Sequence, residues 1–114
     1  MKATIRRFAS PDVDLNSFVP DDSRRVKFLL EVFVGPSDAP GEERFAFEVV
    51  SLAELDAVLD EQGVVAGIHK LIVKEFDWVA IRQMVERIVS RASGDTWEQL
   101  ASSIGRFGQW EFEP

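Results

Sequence analysis

At 114 residues the chain has the size of one ordinary domain, long enough to bury a real core. Apolar residues make up 46% and aromatic residues 11%, which excludes a largely disordered chain, and the lack of cysteine excludes disulfides, thiolate catalysis and zinc–thiolate sites. Twenty acidic against 13 basic residues leave a net charge of −7, a field that repels nucleic-acid phosphates and anionic lipid and attracts a basic protein, though acidity of this size also serves solubility alone.

"ATIRRFAS", Ala3 to Ser10, reads as a first strand. "PDVDLNSFVPDDS" holds Asp12, Asp14, Asp21 and Asp22 with two prolines and no basic residue, the composition of a loop, which Phe18 and Val19 are expected to pin to the body. "VKFLLEVFVGP" places Val26, Phe28, Leu30, Val32 and Val34 on one face at period two, and Leu29 and Phe33 on the other. That pattern predicts a central strand covered on both sides. "GPSDAPGEE" is a wide hairpin loop leading into "ERFAFEVVS", where Phe45, Phe47 and Val49 repeat the alternation.

Ser51 and Glu54 make an S-x-x-E capping box for a helix with Leu52, Leu55, Val58 and Leu59 on one stripe, ending at Gly63. "HKLIVKEF" is the next strand. Asp77 caps a second helix with the stripe Trp78, Ile81, Val85, Ile88 and Ala92, ended by Gly94. Asp95 and Glu98 open a short helix with Trp97, Leu100 and Ile104, closed by Gly105. After Gly108, Trp110 and Phe112 alternate with Glu111 and Glu113, the mark of a half-buried strand that closes the sheet. The order is βββαβααβ. It predicts an α+β fold in a single domain, residues 1–114, with a mainly antiparallel sheet and helices packed on one face.

Chemistry finds little purchase. His69 is the one histidine, and neither a G-x-S-x-G turn nor an H-x-x-x-H spacing accompanies it, so it reads as a strand-end residue with ordinary hydrogen bonds. The Gly35–Gly41 loop is followed by Glu42 and Glu43 where a phosphate loop needs Lys and Ser or Thr. Adjacent carboxylates such as Asp21–Asp22 lie in polar loops, without the burial that tunes an acid–base pair. No catalytic group, cofactor or metal is expected. The start "MKATIRRFAS" has basic residues with no apolar stretch behind them, and no run approaches the roughly eighteen apolar residues of a membrane span. The expected location is the cytoplasm, with no membrane and no nucleic-acid partner.

Five stretches carry a resemblance: "MKATIRRFASPDVD", "GP....GEERFAFEV", "G.HKLIVKEFDW..I", "GDTWEQLA" and "GRFGQWEFE", in that order from Lys2 to Glu113. Together they resemble the immunity-protein-8 family of bacterial polymorphic toxin systems. The resemblance implies a small α+β protein, encoded beside a toxin gene, that binds and silences that toxin by protein–protein contact without catalysis. If the toxin is a basic nuclease, acids here would stand in for the phosphates it normally binds. Loop acids without basic neighbours in the sequence are then the expected contacts: Asp21, Asp22, Asp38, Glu42 and Glu43. Two other classes stay open, a homo-oligomeric scaffold (a homodimer included) and a small enzyme or metal-binding protein using His69 with nearby carboxylates.

Overall fold

Strict alternation of large apolar residues over two long segments builds the centre of the molecule. In a computed structural model, which describes residues 1–113 and leaves Pro114 of the expected domain outside, these segments are neighbouring strands. The elements are β1 (Ala3–Ala9), β2 (Lys27–Pro36), β3 (Glu43–Ser51), α1 (Leu52–Gln62), β4 (Lys70–Val73), α2 (Trp78–Arg91), α3 (Trp97–Gly105) and β5 (Gln109–Trp110). The order and the α+β class are those read from the sequence.

β1, β2 and β3 form an antiparallel sheet. β4 runs parallel to β3 and pairs with Glu48 to Ser51, while β5 pairs antiparallel with Phe45 and Ala46. Both lie along β3, each on its own stretch. Phe28, Leu30, Val32, Val34, Phe45, Phe47 and Val49 line the core face of the sheet. Ile81, Val85 and Val89 of α2 and Leu100, Ala101 and Ile104 of α3 close over them. Each large side chain removed from water here stabilises by roughly 1.5–3 kcal/mol before entropy is counted.

β2 is central, as expected, and charged side chains contribute to covering its second face, where Leu29 and Phe33 are half-buried. The Arg7 guanidinium lies 3.7 Å from the centre of the Phe33 ring. Arg44 pairs with Glu31 at 3.0 Å and Lys70 with Glu48 at 2.7 Å on the same face. Long basic side chains shield apolar surface with their stems while their heads stay hydrated.

The helix signals hold with shifts in detail. Ser51 Oγ accepts the Glu54 N–H at 3.4 Å, one half of the capping box. The return half is absent because the Ser51 N–H donates to the Val26 carbonyl at 2.9 Å, and the same Oγ also accepts the Val26 N–H at 3.1 Å. Glu54 turns to Arg25 instead, 3.5 Å away. The α1 stripe is not core: no α1 residue is buried, and Leu52 is 59% exposed. α2 and α3 already fill the core face. α2 stops at Arg91, with Ala92 extended, so Gly94 does not terminate it. Gly94 is needed for closeness: a Cβ there would sit 2.5 Å from the Leu100 nitrogen. α3 is capped by Thr96, not Asp95. Thr96 Oγ1 accepts from Gln99 N–H at 3.2 Å, and Gln99 Oε1 accepts from Asp95 N–H at 2.9 Å. Starting the helix at Trp97 turns Leu100, Ala101 and Ile104 inward together.

Phe18 anchors its loop between Phe28 and Phe76, with ring centroids 5.7 and 5.0 Å away, whereas Val19 is 83% exposed and pins nothing. The tail is anchored chiefly through Trp110, which stacks on Phe45 with centroids 6.5 Å apart and carries the Phe112 ring edge-on at 5.9 Å. Gly108 lets the chain reach that position, because a Cβ there would meet the Phe47 ring at 2.5 Å. Phe107 and Phe112 remain 52% and 61% exposed. Trp110→Ala is therefore expected to cost about 2–3 kcal/mol, below the ~3–5 of a fully buried ring. Phe112→Ala is expected to stay within about 1 kcal/mol. Urea unfolding of the two variants measures the contrast; equal losses would show that the whole tail packs.

Candidate interaction site

The five expected contact acids do not form one patch. Asp21 and Asp22 lie in the loop between β1 and β2, while Asp38, Glu42 and Glu43 lie at the β2–β3 hairpin. These are opposite ends of β2, whose ten residues at about 3.3 Å each separate them by roughly 30 Å.

Most acids in the first loop are engaged with backbone. Asp12 Oδ2 accepts the Leu29 N–H at 2.8 Å, just past the last β1–β2 pair. Asp14 Oδ1 accepts from Asn16 N–H at 3.0 Å and Asp22 Oδ1 from Arg24 N–H at 2.9 Å. Such Asx turns fix the loop locally and leave the charge facing water. Asp21 and Asp22 are both exposed.

The hairpin acquires cations that its own sequence lacks. Arg6 Nη2 donates to the Pro36 and Ala39 carbonyls at 2.6 and 2.8 Å, clipping the loop to β1. Arg7 holds Glu42 Oε1 from Nη2 at 2.8 Å and from Nε at 3.0 Å. Glu42 is thereby ion-paired though exposed, and Asp38 is the exposed acid of the turn without an ion pair among the described residues.

Glu43 has a different duty. Its Oε1 accepts the Trp97 indole N–H at 2.7 Å and the Trp110 indole N–H at 3.0 Å. One carboxylate oxygen thus joins the start of β3 to α3 and β5. Charge-assisted bonds of this kind are roughly twice as strong as neutral ones.

His69 sits at the entry to β4 with φ 55°, in the left-handed region. Its Nε2–H donates to the Gly105 carbonyl at 3.1 Å, at the C-terminal end of α3. Glu113 Oε2 is 3.9 Å from the same nitrogen. Among the described residues no group of three or more His, Cys, Asp or Glu is placed to hold a metal ion. No helix is long and apolar enough to cross a membrane among those residues.

Two surfaces were hidden from the sequence. One is a groove of about 570 Å³ beside β4 and α2, with Leu71, Val73, Ile81, Met84, Ile88 and Phe107 among its walls. β4 ends the strand order, so no strand among the described residues pairs with its outer edge. The other is the outward face of α1, where Leu52 and Leu59 stand exposed beside acids. Its signal was present, because α1 holds Glu54, Asp56, Asp60 and Glu61 and no base.

The model of one protein family, described as Immunity protein 8, matches residues 3–114. No curated protein and no solved structure matches the chain.

Glu43→Ala is expected to cost about 2–3 kcal/mol, because two half-buried indole donors lose their acceptor. Glu43→Gln, which keeps a carbonyl oxygen, is expected to lose about half as much. Asp38→Ala stays within about 0.5 kcal/mol. Denaturant unfolding followed by tryptophan emission measures all three, and equal behaviour of the three variants would overturn the assignment.

Proposed function

We propose that this chain, which belongs to the Immunity protein 8 family, binds and neutralises a cognate toxin domain by protein–protein contact, without catalysis and without a cofactor. The family match over residues 3–114 carries the reading. The single 1–114 domain acts in the cytoplasm of the cell that makes it, on a toxin whose contacting surface is basic. The net charge of −7 supports that choice of partner, since opposite potentials steer encounter and raise association rates.

The five hairpin and loop acids divide within this reading. Glu42 and Glu43 are held by Arg7 and by two indoles, so their part is to keep the hairpin and the aromatic junction in shape. Asp21, Asp22 and Asp38 present charge to solvent and act in steering. Steering charges at a rim change association rate and salt dependence more than complex lifetime.

The β4 edge and its groove favour one other reading, self-association of two copies. An antiparallel β4–β4 pair centred on Ile72 would set Lys70 of each copy against Lys74 of the other, and like charges directly opposite are unfavourable. That repulsion counts against self-association, so toxin binding is the better supported reading of the chain.

Titration of the purified chain against the toxin domain encoded beside its gene is expected to give a one-to-one complex that abolishes toxicity. Absence of binding would overturn the function. Asp21→Asn/Asp22→Asn/Asp38→Asn keeps the turn acceptors and removes three charges. This variant is expected to associate several-fold more slowly at low salt, with a shallower salt dependence and an unchanged melting temperature.

A further inference from the structure

α1 breaks two rules that α2 obeys. In α2, Arg82 and Glu86 form an i,i+4 pair at 3.5 Å, and Arg91 occupies the last turn, where a cation meets the negative end of the helix dipole. In α1, Asp56 and Asp60 are like charges at i,i+4, and Asp60 and Glu61 crowd the last turn, which holds no base. Both arrangements oppose helix formation. Among the described residues Asp56, Asp60 and Glu61 make no ion pair, and only Glu54 has a cation, Arg25.

The same helix leaves apolar surface in water. At about 100° per residue, Leu52, Asp56, Leu59 and Asp60 fall within roughly 100° of arc on one side. Leu52 is 59% and Leu59 38% exposed, and Val64 just beyond the helix is 83% exposed. A hollow of about 440 Å³ borders the N-terminal end of this face, walled by Leu52, Ala53 and Asp56 with Arg24 and Lys74. Both cations stand at that end. Arg24 also brings the Asp21–Asp22 loop beside α1, so the exposed acids of that loop continue the surface.

A helix that keeps unpaired acid where acid is locally unfavourable, next to exposed leucines, departs from local consistency, and such departures mark functional surfaces. We propose that this outward face of α1 is the contact core for the toxin, docking a surface that carries lysine or arginine opposite Asp56 and Asp60 and apolar side chains opposite Leu52 and Leu59. The inference rests on the toxin-binding reading above. It assigns Asp21 and Asp22 to the rim of this contact and leaves Asp38, at the far end of β2, outside it.

The test uses the full chain and the toxin domain encoded beside its gene. Asp60→Lys places a cation at the helix C-terminus and removes the like-charge pair with Asp56, so it is expected to melt at or above the wild-type temperature while binding about ten-fold or more weakly. Leu52→Ser/Leu59→Ser is expected to shorten the complex lifetime by about ten-fold. Met84→Lys, in the β4 groove, is expected to bind as the wild type does. Wild-type binding by the lysine variant, a lower melting temperature for it, or loss of binding confined to Met84→Lys would each overturn the assignment of α1 while leaving the toxin reading intact. A wild-type chain that binds no toxin would overturn both.

Discussion

β3 is the strand on which most of the other elements take their position. One edge carries β2 along its whole length, and the other is shared, with β5 at Phe45–Ala46 and β4 at Glu48–Ser51. Its core-facing residues Phe45, Phe47 and Val49 have no exposed surface and form the floor under α2 and α3. Its two ends are fixed by side-chain hydrogen bonds. Glu43 receives Trp97 and Trp110, and Ser51 holds the Val26 backbone while capping α1. Backbone groups in a buried strand must all be paired, so the short β5 is retained by what β3 requires as much as by Trp110.

Acidic residues in this molecule separate into those consumed by the fold and those left to solvent. Asp12, Glu42 and Glu43 each satisfy donors from distant elements, at 2.8, 3.0 and 2.7 Å. Their removal would expose unmet donors. Asp21, Asp38, Asp56, Asp60 and Glu61 are exposed and hold none of those long-range bonds. A net charge of −7 therefore overstates what the fold needs and approximates what the surface offers to a partner. Charge of this kind acts at a distance, limited by screening over about 8–10 Å at ordinary salt.

Sequence periodicity made the core legible. Alternation at 26–34 and 45–49 named the strand residues that bury, and helical spacing named Ile81, Val85, Leu100 and Ile104. Capping chemistry placed the helices within a residue or two. Asp95 and Thr96 are both competent caps, and the choice fell to which register buries the stripe. The α1 leucines failed for a larger reason. Periodicity reports which residues lie together on a helix, not whether a floor remains for them, and here α2 and α3 had taken it.

The candidate site was the least legible part. Local composition described the hairpin as three acids without a base, yet antiparallel pairing of β1 to β2 brought Arg6 and Arg7 against it. The same pairing set the two acidic loops at opposite ends of one strand. Local order in the sequence determined the elements, their order and the core face, because period and capping are properties of neighbouring residues. Which acids remain free, which carboxylate meets two indoles and which helix keeps an uncovered face were decided by tertiary structure alone, because each depends on contacts between residues as far apart as Glu43 and Trp110.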